Sequence, residues 1–260
     1  MNTTIIRLRE TDSTNSYLAR HANDYGNDIV VVTAGHQTAG RGQGTNTWES
    51  EDGKNLLFSL MVKHTGVEAD RQFVLSMAAA LALRDAIGKH IKDAGNSEAT
   101  GKPANDITLK WPNDIYWRDC KISGTLIETV IGSKTVKQCI FGTGININQT
   151  LFVSDAPNPT SLKLITGQDH SAESLLNDIL QAFAVYYSMV QARQYAAIAA
   201  MYRKALYRRN GMHPYRDKNG LFEAAIEDVD LDGTLTLRTQ NGELRKYMFK
   251  EVAFVSEKRT

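Results

Sequence analysis

The sequence predicts an α+β fold in which a β-sheet is flanked by helices and followed by a small antiparallel β module. Three observations predict it. Ile29 to Val32 is an unbroken β-branched run, the mark of a strand covered on both faces. Arg71 to Ile87 carries Phe73, Val74, Met77 and Leu81 at helical spacing beside a face of small residues, which makes it a core-packed helix. From Gly211 onward, short alternating runs (Leu221–Ile226, Thr234–Leu237, Leu244–Phe249) are separated by Asp232-Gly233 and Asn241-Gly242, dipeptides that favour tight hairpins.

The remaining elements follow in chain order. Ile5 to Leu8 reads as a short strand ending in the polar cluster Thr11-Asp12-Ser13-Thr14-Asn15. That cluster is rich in N-cap types, and a helix through Tyr17-Leu18 and His21-Ala22 suits it; on its own it is read as capping. Between Gly35 and about Asn55 lies a Gly/Thr/Asn-rich stretch without periodicity, before the strand Leu56–Met61. A loop of that length inside a domain is usually functional. Asp93 to Asp106 is polar and glycine-containing, an exposed insertion without an assigned function. Strands are expected at Ile107–Trp111, Asp114–Trp117, Lys121–Val130 and Thr135–Phe141, the last running into a turn at Gly142-Thr143-Gly144. Ser171–Arg193 and Tyr195–Leu206 read as amphipathic helices, with Tyr186, Tyr187 and Tyr195 as packing residues. This divides the chain into a large domain, 1–207, and a small C-terminal module, 208–260.

Composition narrows the function. The 260 residues are 42% hydrophobic and 23% charged, enough for a full core. Thirty basic residues against 29 acidic leave a net charge of +1, so nothing pulls the whole chain toward nucleic acid or a membrane surface. Any anion site is therefore local. Cys120 and Cys139 are too few for a disulfide framework and lack metal-ligand spacing. The amino terminus has no apolar stretch of signal-peptide length, and no run approaches the ~20 apolar residues of a membrane span. A soluble cytoplasmic protein is expected.

The chemistry concentrates in two places. Lys110-Trp111-Pro112-Asn113-Asp114 opens one strand pair, and Lys121-x-x-Gly124-x-Leu126-x-Glu128 closes it. A hairpin of this kind holds two ammonium groups near one another, which is costly unless an anion sits between them. Upstream, Gly40-Arg41-Gly42-Gln43-Gly44 lets the backbone approach a ligand closely, with Arg41 as a bidentate donor for carboxylate or phosphate. Trp48 either covers a base or apolar ligand or anchors the loop. The segment from Gly35 has Walker-like glycine spacing but lacks its Lys and Ser/Thr, and Gly142-x-Gly144 lacks the third glycine of a dinucleotide fingerprint. No histidine pair or Gly-x-Ser-x-Gly elbow is present. The residues together suggest a site joining a carboxylate to a nucleotide phosphate, with positioning and charge neutralisation as the means of catalysis.

These motifs, in this order, resemble those of biotin protein ligases of the monofunctional type. The resemblance runs from about Thr4 to Asn148 through Ser13-Thr14-Asn15, Gln37-x-x-Gly40-Arg41-Gly42 with Trp48 and Ser50, Lys110-Trp111-Pro112-Asn113-Asp114, Lys121-x-x-Gly124 and Gly142-x-Gly144-Ile145-Asn146. It implies a mixed β-sheet flanked by helices, a C-terminal SH3-like β-barrel module, and a two-step reaction. Biotin and ATP form biotinyl-5′-AMP, and biotin then passes to a lysine of a biotin carboxyl carrier protein or domain. It implies that Ser13, Thr14, Asn15, Gln37, Gly40, Arg41, Gly42, Gln43, Lys121, Gly124 and Gly142 surround biotin, with Lys121 and Arg41 catalytic. Trp48, Lys110, Asn113, Asp114 and Asn146 would surround ATP and the adenylate. Mg²⁺ is expected on the phosphates near Asp114 rather than in a protein cage. The chain starts at the first strand of the catalytic domain, so no operator-binding domain and no DNA partner are expected; the composition leaves no membrane partner expected either, and a homodimer is left open. Rival readings are a lipoate or octanoyl ligase or transferase, and a non-catalytic biotin or nucleotide sensor.

One departure yields a prediction. Many relatives carry a further arginine where this chain has Gln43, and a basic continuation where it has Gly44-Thr45-Asn46-Thr47. Gln43→Arg is expected to slow escape of biotinyl-AMP; unchanged release of the free adenylate by the variant contradicts it.

Overall fold

A computed structural model describes residues 3–26, 29–44, 46–95, 106–153 and 158–255. Seven strands, β1 (Thr3–Thr11), β2 (Ile29–Gln37), β3 (Asn55–Lys63), β4 (Ile107–Lys110), β5 (Asp114–Trp117), β6 (Cys120–Ile131) and β7 (Val136–Asn146), form one sheet in the order β1-β2-β3-β7-β6-β5-β4. The β1–β2 ladder is parallel and the other ladders antiparallel, so the sheet is mixed. The helices are α1 (Thr14–Arg20), α2 (Phe73–Asp93), α3 (Leu162–Thr166), α4 (Ala172–Gln191) and α5 (Tyr195–Lys204). A second, antiparallel sheet contains β8 (His213–Asp217), β9 (Gly220–Val229), β10 (Leu235–Thr239), β11 (Leu244–Tyr247) and β12 (Ala253–Phe254), ordered β11-β10-β9-β8-β12. Among the described residues, no helix is long and apolar enough to cross a membrane.

The period-2 alternation of the strands explains the two faces of the large sheet. Leu56, Phe58, Leu60 and Val62 of β3, with Cys139, Phe141 and Ile145 of β7, bury against α2, α4 and α5. On the opposite face, Met61, Ile140, Val30 and Val32 pack with Leu18 of α1. β3 is thus covered on both sides, and its near-continuous apolar run follows from that. Ser59 interrupts the run; it is completely buried and faces α1. On α2 the small residues Ala78, Ala79, Ala82 and Ala86 let the neighbouring helices approach, while Leu81 and Ile87 are fully enclosed. Burial of each such large side chain contributes about 1.5–3 kcal/mol.

Two expectations are corrected. β2 continues through Gly35 and His36 to Gln37, so the irregular stretch begins later than its glycine suggested. β7 runs without a turn through Gly142-Thr143-Gly144 to Asn146, because these glycines occupy strand positions on which side chains from elsewhere lie flat. β12 and α3 are too short to leave a periodic signal, and β8, His213-Pro214-Tyr215-Arg216-Asp217, has a single large apolar side chain and no alternation. The insertion read at 93–106 falls mostly on 96–105, outside the described residues.

The end of the large sheet meets the second sheet across a joint. Leu109 is bracketed by backbone hydrogen bonds from its amide to Ala205 and from the Tyr207 amide to its carbonyl, each 2.9 Å. Trp111 donates from Nε1 to the Gly233 carbonyl at 3.0 Å, and its ring meets Phe249. Lys110 turns into this joint: its Nζ donates to Tyr116 Oη at 2.8 Å and lies 4.5 Å from the Tyr116 ring centroid and 5.5 Å from that of Phe254. Burial, reinforced by Lys121 and Arg208 and opposed by Asp114, pulls the Lys110 ammonium down to about 8.

That value gives a signed prediction. Unfolded lysine titrates near ~10.4, so between pH ~8 and ~10.4 the unfolded chain binds more protons and wild-type stability rises with pH. Below pH ~8 the cost of burying the charge is fully present. Lys110→Met has nothing to titrate there, so wild type should gain stability relative to the variant between pH 7 and 9.5. Urea unfolding at both pH values measures this, and a pH-independent difference would refute it.

Candidate active site

A cavity of about 660 Å³ opens on the α1 side of the large sheet, where β6 and β7 bring glycines together. Gly124 is paired directly with Gly144, and Leu126 with Gly142. Three neighbouring sheet positions therefore project no side chain, and other groups occupy the space. A Cβ on Gly142 would stand 2.1 Å from Asn15 Oδ1, and one on Gly144 2.2 Å from the Trp48 ring. At Gly124 the nearest atoms, 3.1 Å away, belong to Asp114 and Lys121.

One end of the cavity is polar and buried. Ser13, Thr14 and Asn15 are 4%, 3% and 2% exposed, and all three line the cavity. Ser13 stands at the N-cap position of α1, yet its side chain makes no capping hydrogen bond, so the capping reading fails. The Thr14 amide and hydroxyl both donate to Gln37 Oε1, at 2.8 and 3.1 Å, which turns the Gln37 NH₂ group toward Gly40. Ser59 Oγ lies 2.7 Å from Thr14 Oγ1 and 2.6 Å from Asn15 Oδ1. Asn15 Nδ2 donates to Glu128 Oε2 at 2.8 Å. Buried polar groups persist only when satisfied in this way, and the network fixes their orientation.

The glycine-rich loop folds back on itself over the cavity. The Trp48 amide donates to the Gly40 carbonyl at 3.0 Å, Arg41 bridges Thr47, and the Gly42 amide donates to Asn46 O at 2.7 Å. Gly40 and Gly42 leave no room for a side chain on this narrow ribbon, since a Cβ would meet Trp48 O at 2.9 Å or Asn46 at 3.1 Å. At the tip, Gly44 has a φ of +70° and lies against Lys250 Nζ from the second sheet's side. Arg41 reaches Glu128 Oε2 at 2.9 Å. Trp48 Nε1 is buried with no partner among the described residues, a donor held ready at a cost of about 1–3 kcal/mol.

At the other end, Lys121 Nζ pairs with Asp114 Oδ1 at 2.8 Å and sits 5.9 Å from the Trp48 ring centroid. Asn113 Nδ2 donates to the Thr125 carbonyl and Asn146 Nδ2 to the Thr160 carbonyl. Residues 158–160 run beside β6, with the Lys121 amide donating to Asn158 and the Thr160 amide to Lys121, each at 2.8 Å.

The cavity thus gathers Ser13, Thr14, Asn15, Gln37, Arg41, Gly42, Gln43, Trp48, Asn113, Asp114, Lys121, Gly124, Gly142 and Asn146. Gly40 supports the loop beneath Trp48 and is not part of the lining. Lys110 is not brought to the cavity either. It pairs with Asp114 and so leaves the same face of the sheet, but its ammonium turns to Tyr116 and Phe254 in the joint. Among the lining residues that sequence reasoning missed are Glu49, Phe152 and Pro159. Phe152 and Pro159 sit in an aperiodic stretch and left no signal. Glu49 is joined to that stretch by Oε1, which accepts from the Val153 amide at 3.1 Å. The described residues hold no cluster of three or more metal-ligating side chains, and Asp114 is engaged by Lys121. A magnesium ion carried on phosphate oxygens would meet single carboxylates in this lining, Asp114 and Glu49, rather than a protein cage.

Comparison with known proteins places the chain in a family. Residues 7–146, just over half of the chain, match the model of the Biotin/lipoate A/B protein ligase family. The chain is 28% identical over 226 residues to a bifunctional ligase/repressor BirA of Bacillus spizizenii, covering 85% of this chain and 65% of that relative's length. It is 29% identical over 246 residues to a biotin–[acetyl-CoA-carboxylase] ligase of Paracoccus denitrificans, covering 90% of this chain and 94% of that protein. The fold superimposes on a biotin protein ligase from Aquifex aeolicus solved with biotin and ATP, with a TM-score of 0.74 and 22% identity, over 98% and 99% of the two chains. The chain belongs to the Biotin/lipoate A/B protein ligase family.

Proposed function

We propose that this protein activates biotin with ATP to biotinyl-5′-AMP and transfers the biotinyl group to one lysine of a biotin carboxyl carrier protein or domain. The observation that carries this reading is the division of the cavity: buried hydroxyls and amides with Arg41 beside them at one end, Lys121 at the other, and a glycine floor between them. A ureido ring needs donors and acceptors on a rigid frame, which Thr14, Asn15, Ser59 and Gln37 provide. An aliphatic or dithiolane head brings no hydrogen-bonding group to that frame. This favours biotin over lipoate.

In the first step a carboxylate oxygen of biotin bonds to the α-phosphorus of ATP as the bond to pyrophosphate breaks, and pyrophosphate leaves with the electron pair. In the second, the acceptor lysine's neutral amine bonds to the acyl carbon, the bond to the AMP oxygen breaks, and the amine's proton passes to solvent. No protein nucleophile takes part. Two negative groups brought to about 4 Å repel by about 4 kcal/mol at an effective dielectric of about 20. Lys121, already held by Asp114, offsets that repulsion where carboxylate and α-phosphate meet, and Arg41 does so from the loop. The glycine floor lets both ligands lie against the strands. Magnesium bound to the ATP phosphates supplies further charge neutralisation. The unpartnered Trp48 Nε1 supports a ligand oxygen beside Gly144.

Biotin-dependent exchange of pyrophosphate into ATP, followed by transfer of biotin to a carrier domain, tests the reading; exchange supported by lipoate but not biotin would overturn it. Lys121→Ala is expected to slow adenylate formation about 10²- to 10³-fold, the usual effect of removing a charge-stabilising donor, with the circular-dichroism spectrum unchanged. Near-normal pyrophosphate release by that variant removes Lys121 from the mechanism.

A further inference from the structure

We propose that Glu128, the last residue of the Lys121-x-x-Gly124-x-Leu126-x-Glu128 pattern, is a positioning residue that couples the polar end of the cavity to the Arg41 loop. Strand alternation puts Gly124, Leu126 and Glu128 on one face of β6. The first two line the cavity, and Glu128 stands next along the strand, opposite Ile140. A single oxygen, Oε2, accepts from Asn15 Nδ2 at 2.8 Å and from Arg41 at 2.9 Å.

Each contact alone is ordinary, but sharing one oxygen gives them a joint effect. Asn15 is 2% exposed and lies on the Gly142 floor, so its amide has two orientations to choose from. A carboxylate beside Nδ2 and the Leu126 carbonyl, 3.3 Å away, select the one that points Oδ1 toward Ser59. An acceptor is thereby presented to the polar end. The same carboxylate, already ordered by Asn15, pairs with a half-exposed guanidinium. An exposed ion pair is usually weak because both side chains must be ordered to form it. Here one partner is fixed in advance, so Arg41 has a defined resting place at the base of its ribbon. Ligand contact with Asn15 and the position of the loop are linked through one atom.

The identity of the ligand rests on the proposed function; the tether rests on the geometry alone, and the experiment separates them. Limited trypsin digestion of the ligand-free protein, read by mass spectrometry, reports exposure of the Arg41–Gly42 bond. Cleavage after Lys54 serves as the internal reference. Glu128→Gln is expected to speed cleavage after Arg41 at least 5-fold without changing cleavage after Lys54. In pyrophosphate exchange it should raise the KM for biotin at least 10-fold while changing kcat less than 3-fold. Glu128→Asp, which keeps the charge, should restore part of both effects and provides the test if Glu128→Gln does not fold. Equal acceleration at both bonds, or no change at Arg41, overturns the proposal. The expected cleavage pattern in a protein that exchanges pyrophosphate with no biotin at all would uphold the tether and refute the proposed function.

Discussion

The absence of side chains at Gly142 and Gly144 is the constraint on which the rest of the site depends. Carbon atoms pack at about 3.5–4.0 Å, yet a Cβ at either position would stand close to 2 Å from Asn15 or Trp48. Any residue but glycine would expel one of them. With Asn15 displaced, Ser59 and Glu128 each lose a partner; with Trp48 displaced, the ribbon from Gly40 to Trp48 loses its seat. Glycine in a strand costs about 0.5–1 kcal/mol in backbone entropy relative to alanine. β7 sustains two such positions because it lies in the middle of the sheet, laddered to β3 on one side and β6 on the other.

Charge follows the same economy. Each cation of the cavity has a carboxylate beside it: Lys121 with Asp114, Arg41 with Glu128. The site is close to neutral before ligands arrive, in keeping with a chain whose formal charge is only +1. An anionic ligand therefore exchanges for an existing partner at each cation. Lys110 shows the alternative, a buried ammonium with an aromatic hydroxyl for company and a lowered affinity for its proton.

Much of this was legible in the residues themselves. α2 and α4 announced themselves by periodicity because each buries one face, and β3 by a near-continuous apolar run because it is covered on both. The site was legible as pieces: Arg41 between glycines, Lys121 three residues before Gly124, and polar residues ahead of α1. What could not be read was where each side chain would end once registers were set. Lys110 and Lys121 leave the same face of the sheet, through pairing with Asp114 and Tyr116, yet the Lys110 ammonium ends on Tyr116 in the joint and that of Lys121 on Asp114 in the cavity. Gly142 and Gly144 invited a turn because glycine usually breaks strands; only the approach of Asn15 and Trp48 from distant segments explains why the strand continues. Pro159 owes its place to backbone pairing beside Lys121, which no local pattern encodes.

The two edges of the large sheet differ in a way that bears on solubility. At β4 the backbone of Leu109 is already engaged by Ala205 and Tyr207, so the chain's own crossing segment occupies a row that another strand could otherwise join. β1 has no such cover in the sheet order, but it carries Arg7, Arg9 and Glu10 exposed along its length. A strand adding there would have to bring its own side chains up against those charges. One margin is closed by hydrogen bonding and the other guarded by charge, so an uncontrolled stack of sheets is discouraged from both ends.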